Sequence, residues 1–156
     1  MVILGMTTPR GDEGKHIIVT ILNNSPIGFG LANGPAALDS GKWVISPEGL
    51  LPPNFDGVAF EAQGNASDLA TGTAGSMRYV NIEQGAEFHV TWRIPPWGVV
   101  PRPDNDFFVE CKTACDRFSL KINPEDPGST GATGSLNAED KKADMITPTI
   151  VIGTKG

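Results

Sequence analysis

The sequence predicts an all-β protein, a single-domain β-sandwich of roughly eight to nine short, mostly antiparallel strands. Three observations carry that expectation. Thirteen prolines and nineteen glycines in 156 residues punctuate the chain too often for long helices and suit short strands joined by turns. No stretch repeats apolar residues at the 3.6-residue period of an amphipathic helix. From Glu87 to Ile94 the alternation is strict, with Phe88, Val90, Trp92 and Ile94 on one face and Glu87, His89, Thr91 and Arg93 on the other, the period of a half-buried strand. The length suits one domain with a sizeable core.

Taken in order, residues 1–14 read as a flexible N-terminal segment, polar and glycine-bearing after the first few positions, and the domain spans 15–156. His16 to Leu22 is a β-branched run with apolar residues on both faces, expected as a central or doubly covered strand. Asn23 to Pro26 turns the chain. Ile27-Gly28-Phe29-Gly30-Leu31 alternates large residues with glycine, the pattern of a strand whose outer face lies against another backbone. After a turn at Asn33-Gly34-Pro35, Lys42 to Ile45 is a short strand, and Glu48 to Gly57, with its breakers, reads as a loop.

Val58, Phe60 and Ala62 alternate with Ala59 and Glu61 in the next strand. Thr71-Gly72-Thr73-Ala74-Gly75 is expected to turn with special backbone angles before Met77 to Val80, and Gln84-Gly85 makes a hairpin turn. Pro95-Pro96 must end the Glu87–Ile94 strand, because proline cannot donate to a ladder; Trp97 is thereby left on the loop beyond. Further strands are expected at Phe107 to Cys111 and Phe118 to Ile122. Pro124 to Ala143 reads as a long loop, and Thr149 to Ile152 closes the sheet.

The formal charge of −6 disfavours nucleic-acid binding, since a phosphate backbone is gripped by clustered Lys and Arg; it equally disfavours purely electrostatic attraction to anionic lipid. The first residues lack the apolar run of a secretory signal. No segment reads as a membrane-spanning helix. Synthesis in the cytosol, with release by a non-standard route, is the expectation. Cys111 and Cys115, the only cysteines, are expected as free structural thiols, because so short a ring strains easily and cytosolic synthesis keeps thiols reduced.

Neither cysteine pairs with His16 or His89 at a zinc-site spacing. No hydrolase elbow, phosphate loop or HExxH motif is present. Asp104 and Asp106 are too few oxygen donors for a calcium loop. No catalytic residue, metal or cofactor is therefore expected.

Gly41-Lys42-Trp43 with Ser46-Pro47, then Phe60-Glu61-Ala62, then Ala70-Thr71-Gly72-Thr73-Ala74-Gly75-Ser76 with Tyr79, and finally Trp92 with Pro96-Trp97-Gly98 follow an order that resembles the aegerolysin family. The match is nearest to its bacterial members, including the small component of binary insecticidal toxins, and more distantly resembles the actinoporins. It runs from about Ile17 to Gly98 and more loosely to the final strand.

The resemblance implies a compact sandwich that binds membrane lipid head groups of sphingolipid or sterol type, with a larger pore-forming partner or self-association completing the cytolytic act. Aromatic loop residues make the lipid contact in that family. Here the role falls on Trp97, then Trp43, with Pro96, Lys42 and Arg102 beside them. The loop after Gly98 is longer than the family's, and no amphipathic N-terminal helix is present, so a self-sufficient pore former is not expected. One buried tryptophan contributes roughly 1.5–3 kcal/mol, so two give only about millimolar affinity; a head-group pocket or avidity must add the rest. A carbohydrate-binding, lectin-like module stands as the alternative, distinguished by a glycan array.

Overall fold

The computed structural model describes residues 16–32, 38–64, 72–95, 104–123, 133–134 and 145–154. These residues form thirteen strands: β1 (His16–Asn23), β2 (Phe29–Leu31), β3 (Leu38–Ser40), β4 (Lys42–Ile45), β5 (Leu50–Leu51), β6 (Asp56–Gln63), β7 (Thr73–Asn81), β8 (Ala86–Ile94), β9 (Asp106–Thr113), β10 (Phe118–Asn123), β11 (Thr133–Gly134), β12 (Met145–Ile146) and β13 (Thr149–Thr154). One sheet has the order β11-β9-β8-β7-β2-β5, with β3 also on β7; the other runs β10-β13-β1-β6-β4, with β12 also on β1. Every pairing is antiparallel except those of β12 and β13 with β1.

The all-β sandwich is as the sequence predicts, and the strand number exceeds the expected eight to nine because the chain also makes two- and three-residue strands at β3, β5, β11 and β12. Their sequences are too short to show a period. β5 sits inside the expected Glu48–Gly57 loop. β13 does not close its sheet at an edge; it lies inside, between β10 and β1. The N-terminal segment, the Asn33-Gly34-Pro35 turn and most of the Pro124–Ala143 loop fall outside the described residues.

β8 buries Phe88, Val90, Trp92 and Ile94 and turns Glu87, His89, Thr91 and Arg93 outward, as its alternation requires. β1 is central, with Ile17, Val19 and Ile21 buried. In β6 the expected alternation breaks between Val58, which is 41% exposed, and Phe60, which is buried. Val19 pairs with Phe60 but Thr20 pairs with Val58, so Ala59 is an extra residue. That bulge buries Ala59 and Phe60 in succession and flips Val58 to the outside.

Within the core, the aromatic rings form two groups that join the sheets. Trp92 of the first sheet meets Phe60 of the second at 4.8 Å between ring centroids. Phe29 meets Phe88 at 4.9 Å and Phe118 at 5.3 Å. The expected turn at Thr71–Gly75 is instead strand from Thr73 onward; Gly75 pairs with Trp92 and is glycine because a Cβ there would stand 2.7 Å from the indole. The β7–β8 hairpin does turn at Gln84-Gly85, through Ile82–Gly85. Gly85 adopts φ +67°, and the Gln84 amide donates to Asn81 Oδ1 at 2.8 Å.

The expectation of free thiols is overturned. Cys111 and Cys115 form a disulfide with Cα atoms 5.8 Å apart, inside the ordinary range. Ala114 between them takes φ +61°, and this left-handed residue folds the chain back far enough for the sulfurs to meet.

Candidate functional site

Strand register separates the sandwich into two ends. At one, Thr73 pairs with Ile94, Asp106 with Arg93 and Lys42 with Gln63. Lys42 and Trp43 are therefore at the end where the chain leaves β8 at Pro95. Lys42 is exposed. Trp43 is half-buried, its ring 5.7 Å from Phe60 and 5.8 Å from Trp92 between centroids, so part of the indole belongs to the core. Pro96, Trp97 and Arg102 lie outside the described residues. Gly41 enters β4 with φ +89° and has the Gln63 carbonyl oxygen 2.5 Å from where a Cβ would be, which fixes the approach of Lys42 and Trp43.

The opposite end carries two adjoining grooves. The first, of about 590 Å³, runs over Gly28 and over Phe29 and Gly30 of β2, between Leu50, Pro52 and Pro53 on one side and Val80 and Ile82 on the other. Its walls are the most exposed large apolar side chains among the described residues, Ile82 at 91% and Leu50 at 70%. The second, of about 520 Å³, shares Leu31, Val80, Asn81 and Ile82 and adds Arg78, Glu87 and Thr113. Other backbone does lie close to the two glycines, at ordinary contact distance: an added Cβ at Gly28 would stand 3.7 Å from Pro52 Cα and 3.8 Å from the Leu51 carbonyl oxygen, and one at Gly30 would stand 3.8 Å from the Gly49 carbonyl oxygen.

Sequence reading passed over Ile82 and Leu50. The signal was present in each case, an apolar residue inside a polar hairpin turn and another beside Gly49.

On the outer face of the first sheet, Arg78 Nε donates to Glu87 Oε2 at 2.9 Å, and His89 Nε2 meets the same oxygen. The Arg78 hydrogen bond, followed by that of His89, holds the Glu87 carboxyl at about 2, and the carboxylate in turn raises the guanidinium's pKa. A depressed carboxyl contributes stability above its ordinary value, taken as 4.5, that is lost as pH falls through about 2. Arg78→Ala is therefore expected to lower stability at neutral pH, and only slightly, because solvent screens so open a pair. The difference from the parent in urea unfolding should shrink between pH 4.5 and 2. A difference that stays constant across that window would remove the ion pair as its cause.

Beneath this face, Tyr79 is buried and its hydroxyl donates to the Glu48 carbonyl at 2.8 Å; desolvation, then the Glu48 charge, raises its pKa. His16 meets Glu61 across β1 and β6. Among the described residues no group of three or more His, Cys, Asp or Glu is placed to hold a metal ion, and no helix is long and apolar enough to cross a membrane.

No family model matches the sequence, and no curated protein matches it. Among solved structures, the chain is similar to the crystal structure of the lipid binding protein Nakanori, with a TM-score of 0.56 and 14% sequence identity over 90% of this chain and 71% of that one. At that identity the likeness is one of fold. The chain is thus a β-sandwich of the kind seen in a lipid binding protein.

Proposed function

We propose that this protein recognises membrane lipid head groups of sphingolipid or sterol type, without enzymatic activity, and serves as the targeting component of a two-component pore-forming toxin, cytolytic or insecticidal in effect. The observation that carries the reading is the sandwich it shares with the lipid binding protein Nakanori. The sequence resemblance to the aegerolysins and the aromatic Pro96-Trp97-Gly98 segment support the same reading, and the net charge of −6 favours specific over purely electrostatic attachment.

The test is vesicle flotation over phosphatidylcholine, with and without sphingomyelin and sterol. Binding that depends on composition is expected, and no release of entrapped dye by this chain alone. Trp97→Ala should weaken binding about tenfold or more, the loss of roughly 1.5–3 kcal/mol of apolar burial, with the melting temperature unchanged. Absence of binding to every composition would end the reading. Equal binding by variant and parent would remove Trp97 from the contact.

A further inference from the structure

We propose that the groove floored by Gly28 and Gly30 takes a membrane lipid with a neutral or zwitterionic head, and that Ile82 and Leu50 are the side chains that enter the lipid. The inference rests on the lipid-binding reading above and adds a contact at the opposite end of the sandwich from Lys42 and Trp43. Four observations converge on it.

The first is that neither glycine is required by the backbone. Among the described residues only Gly41 and Gly85 are glycines with positive φ. An added Cβ at Gly30 would meet nothing nearer than 3.8 Å, and one at Gly28 nothing nearer than 3.4 Å, both ordinary contacts. Glycine inside a strand destabilises it relative to residues that carry a side chain, so Gly30 on the outer face of β2 does not serve the sheet, and Gly28 just before the strand is not there for a positive φ. What they do is leave the groove open down to the main chain.

The second is the character of the walls. Leu50, Pro52, Pro53 and Ile82 are apolar and exposed, and Ile82 stands at the tip of a hairpin, where it can enter an interface ahead of the rest of the sheet. The volume of about 590 Å³ lies within the roughly 300–1,000 Å³ of small-molecule sites.

Charge supplies the third. Arg78, the one cation lining either groove, is held by Glu87, and Glu83 at the mouth of the apolar groove is exposed. A surface of net negative charge would be repelled, whereas a zwitterionic head meets a paired cation and anion beside the apolar channel.

The fourth is size. Eleven residues line the apolar groove, against about 20–30 a side in a stable protein interface, which favours a lipid over a second protein.

The experiment has two arms. In the first, monomeric dihexanoylphosphatidylcholine is titrated into the isotopically labelled protein, with an anionic phosphatidylglycerol of the same chain length as comparison. In the second, the parent, Ile82→Ser, Leu50→Ser and Gly30→Val are floated with phosphatidylcholine vesicles containing sphingomyelin and sterol. Ile82 and Leu50 are exposed enough that their variants should fold whether or not Gly30→Val does.

The proposal expects amide shifts at Gly28, Gly30 and Ile82, at least tenfold weaker for the anionic lipid, and a tenfold or greater loss of vesicle binding in Ile82→Ser at unchanged melting temperature. Shifts confined to Lys42 and Trp43, with Ile82→Ser floating like the parent, would overturn the groove and leave the lipid-binding reading standing. Shifts at the groove in a protein that binds no vesicle would do the reverse. Silence in both arms ends both. A variant that turns a dimer into a monomer without changing vesicle binding would assign the groove to a second copy and overturn the proposal.

Discussion

Gly75→Ala should destabilise the protein by about 2–4 kcal/mol, seen as a fall of roughly 5–10 °C in melting temperature for a chain of this size. Gly75 is buried in β7 opposite Trp92, and a Cβ added there stands 2.7 and 2.8 Å from Cζ2 and Cη2 of the indole. The ring has no room to withdraw. Trp92 is 1% exposed, packs on Phe60 at 4.8 Å and Trp43 at 5.8 Å, and its Nε1 donates to Thr73 Oγ1 at 3.3 Å. Relief therefore requires an off-rotamer indole, a lost hydrogen bond or a shift between the sheets, and any of these outweighs the gain from replacing a strand glycine.

Trp92→Phe alone should also destabilise, because it empties space between the sheets. It removes the two carbons that clash, however. The double variant Gly75→Ala/Trp92→Phe should therefore be more stable than the sum of the single losses predicts, by about 1 kcal/mol or more. Additive losses in urea unfolding, or a Gly75→Ala protein as stable as the parent, would mean that the indole does not set the identity of residue 75.

The same residue illustrates what was legible in the sequence. Strict alternation placed β8 and buried Trp92 without help, because a half-exposed strand writes its two faces directly into the order of residues. The central position of β1 and the bounds of β4 were also readable. Gly75 was not, because a glycine needed for a turn and one needed for a neighbour's ring look alike in sequence. Val58 failed for a related reason: the bulge at Ala59 is set by pairing with β1, and pairing is a long-range property. The disulfide was missed because the left-handed Ala114 that permits it is a residue with no such preference.

Of the residues predicted for lipid contact, Lys42 and Trp43 come together at one end, with Trp43 partly committed to the core. The apolar groove at the other end arises from three segments far apart in sequence, β2, the β5 region and the β7–β8 hairpin. No local pattern could have joined them.

Two of those segments, the chain entering β2 and the β5 region, are tied together by one side chain, and Asn23→Ala is expected to cost about 3–5 kcal/mol. Asn23 ends β1 fully buried. Its Nδ2 donates to the carbonyls of Ile27, Leu51 and Pro52 at 2.8, 3.1 and 3.2 Å, while Oδ1 accepts from the Ser25 amide and hydroxyl at 3.1 and 2.7 Å. Its main chain is bonded to Phe55 and Asn54. Alanine would leave several buried polar groups without these partners, and each such group costs about 1–3 kcal/mol.

Asn23→Asp separates this hub from simple packing. The carboxylate keeps the acceptor for Ser25 but faces three carbonyl oxygens with no proton to offer. Burial and those carbonyls raise its folded pKa above the unfolded value of about 3.9. A raised folded pKa gives stability present below the unfolded value and lost as pH rises through the folded one, so the deficit of Asn23→Asp against the parent should be smallest near pH 3 and widen towards pH 7.

A deficit independent of pH, or an Asn23→Ala loss under about 1 kcal/mol, would show that the bonds do not hold the loops. Because the hub fixes Ile27 next to the groove floor, Pro52 in its wall and Leu51 next to Leu50 of that wall, the same variants should broaden the Gly28, Gly30 and Leu50 amide resonances. Those of Lys42 and Trp43, at the far end of the sheets, should stay sharp.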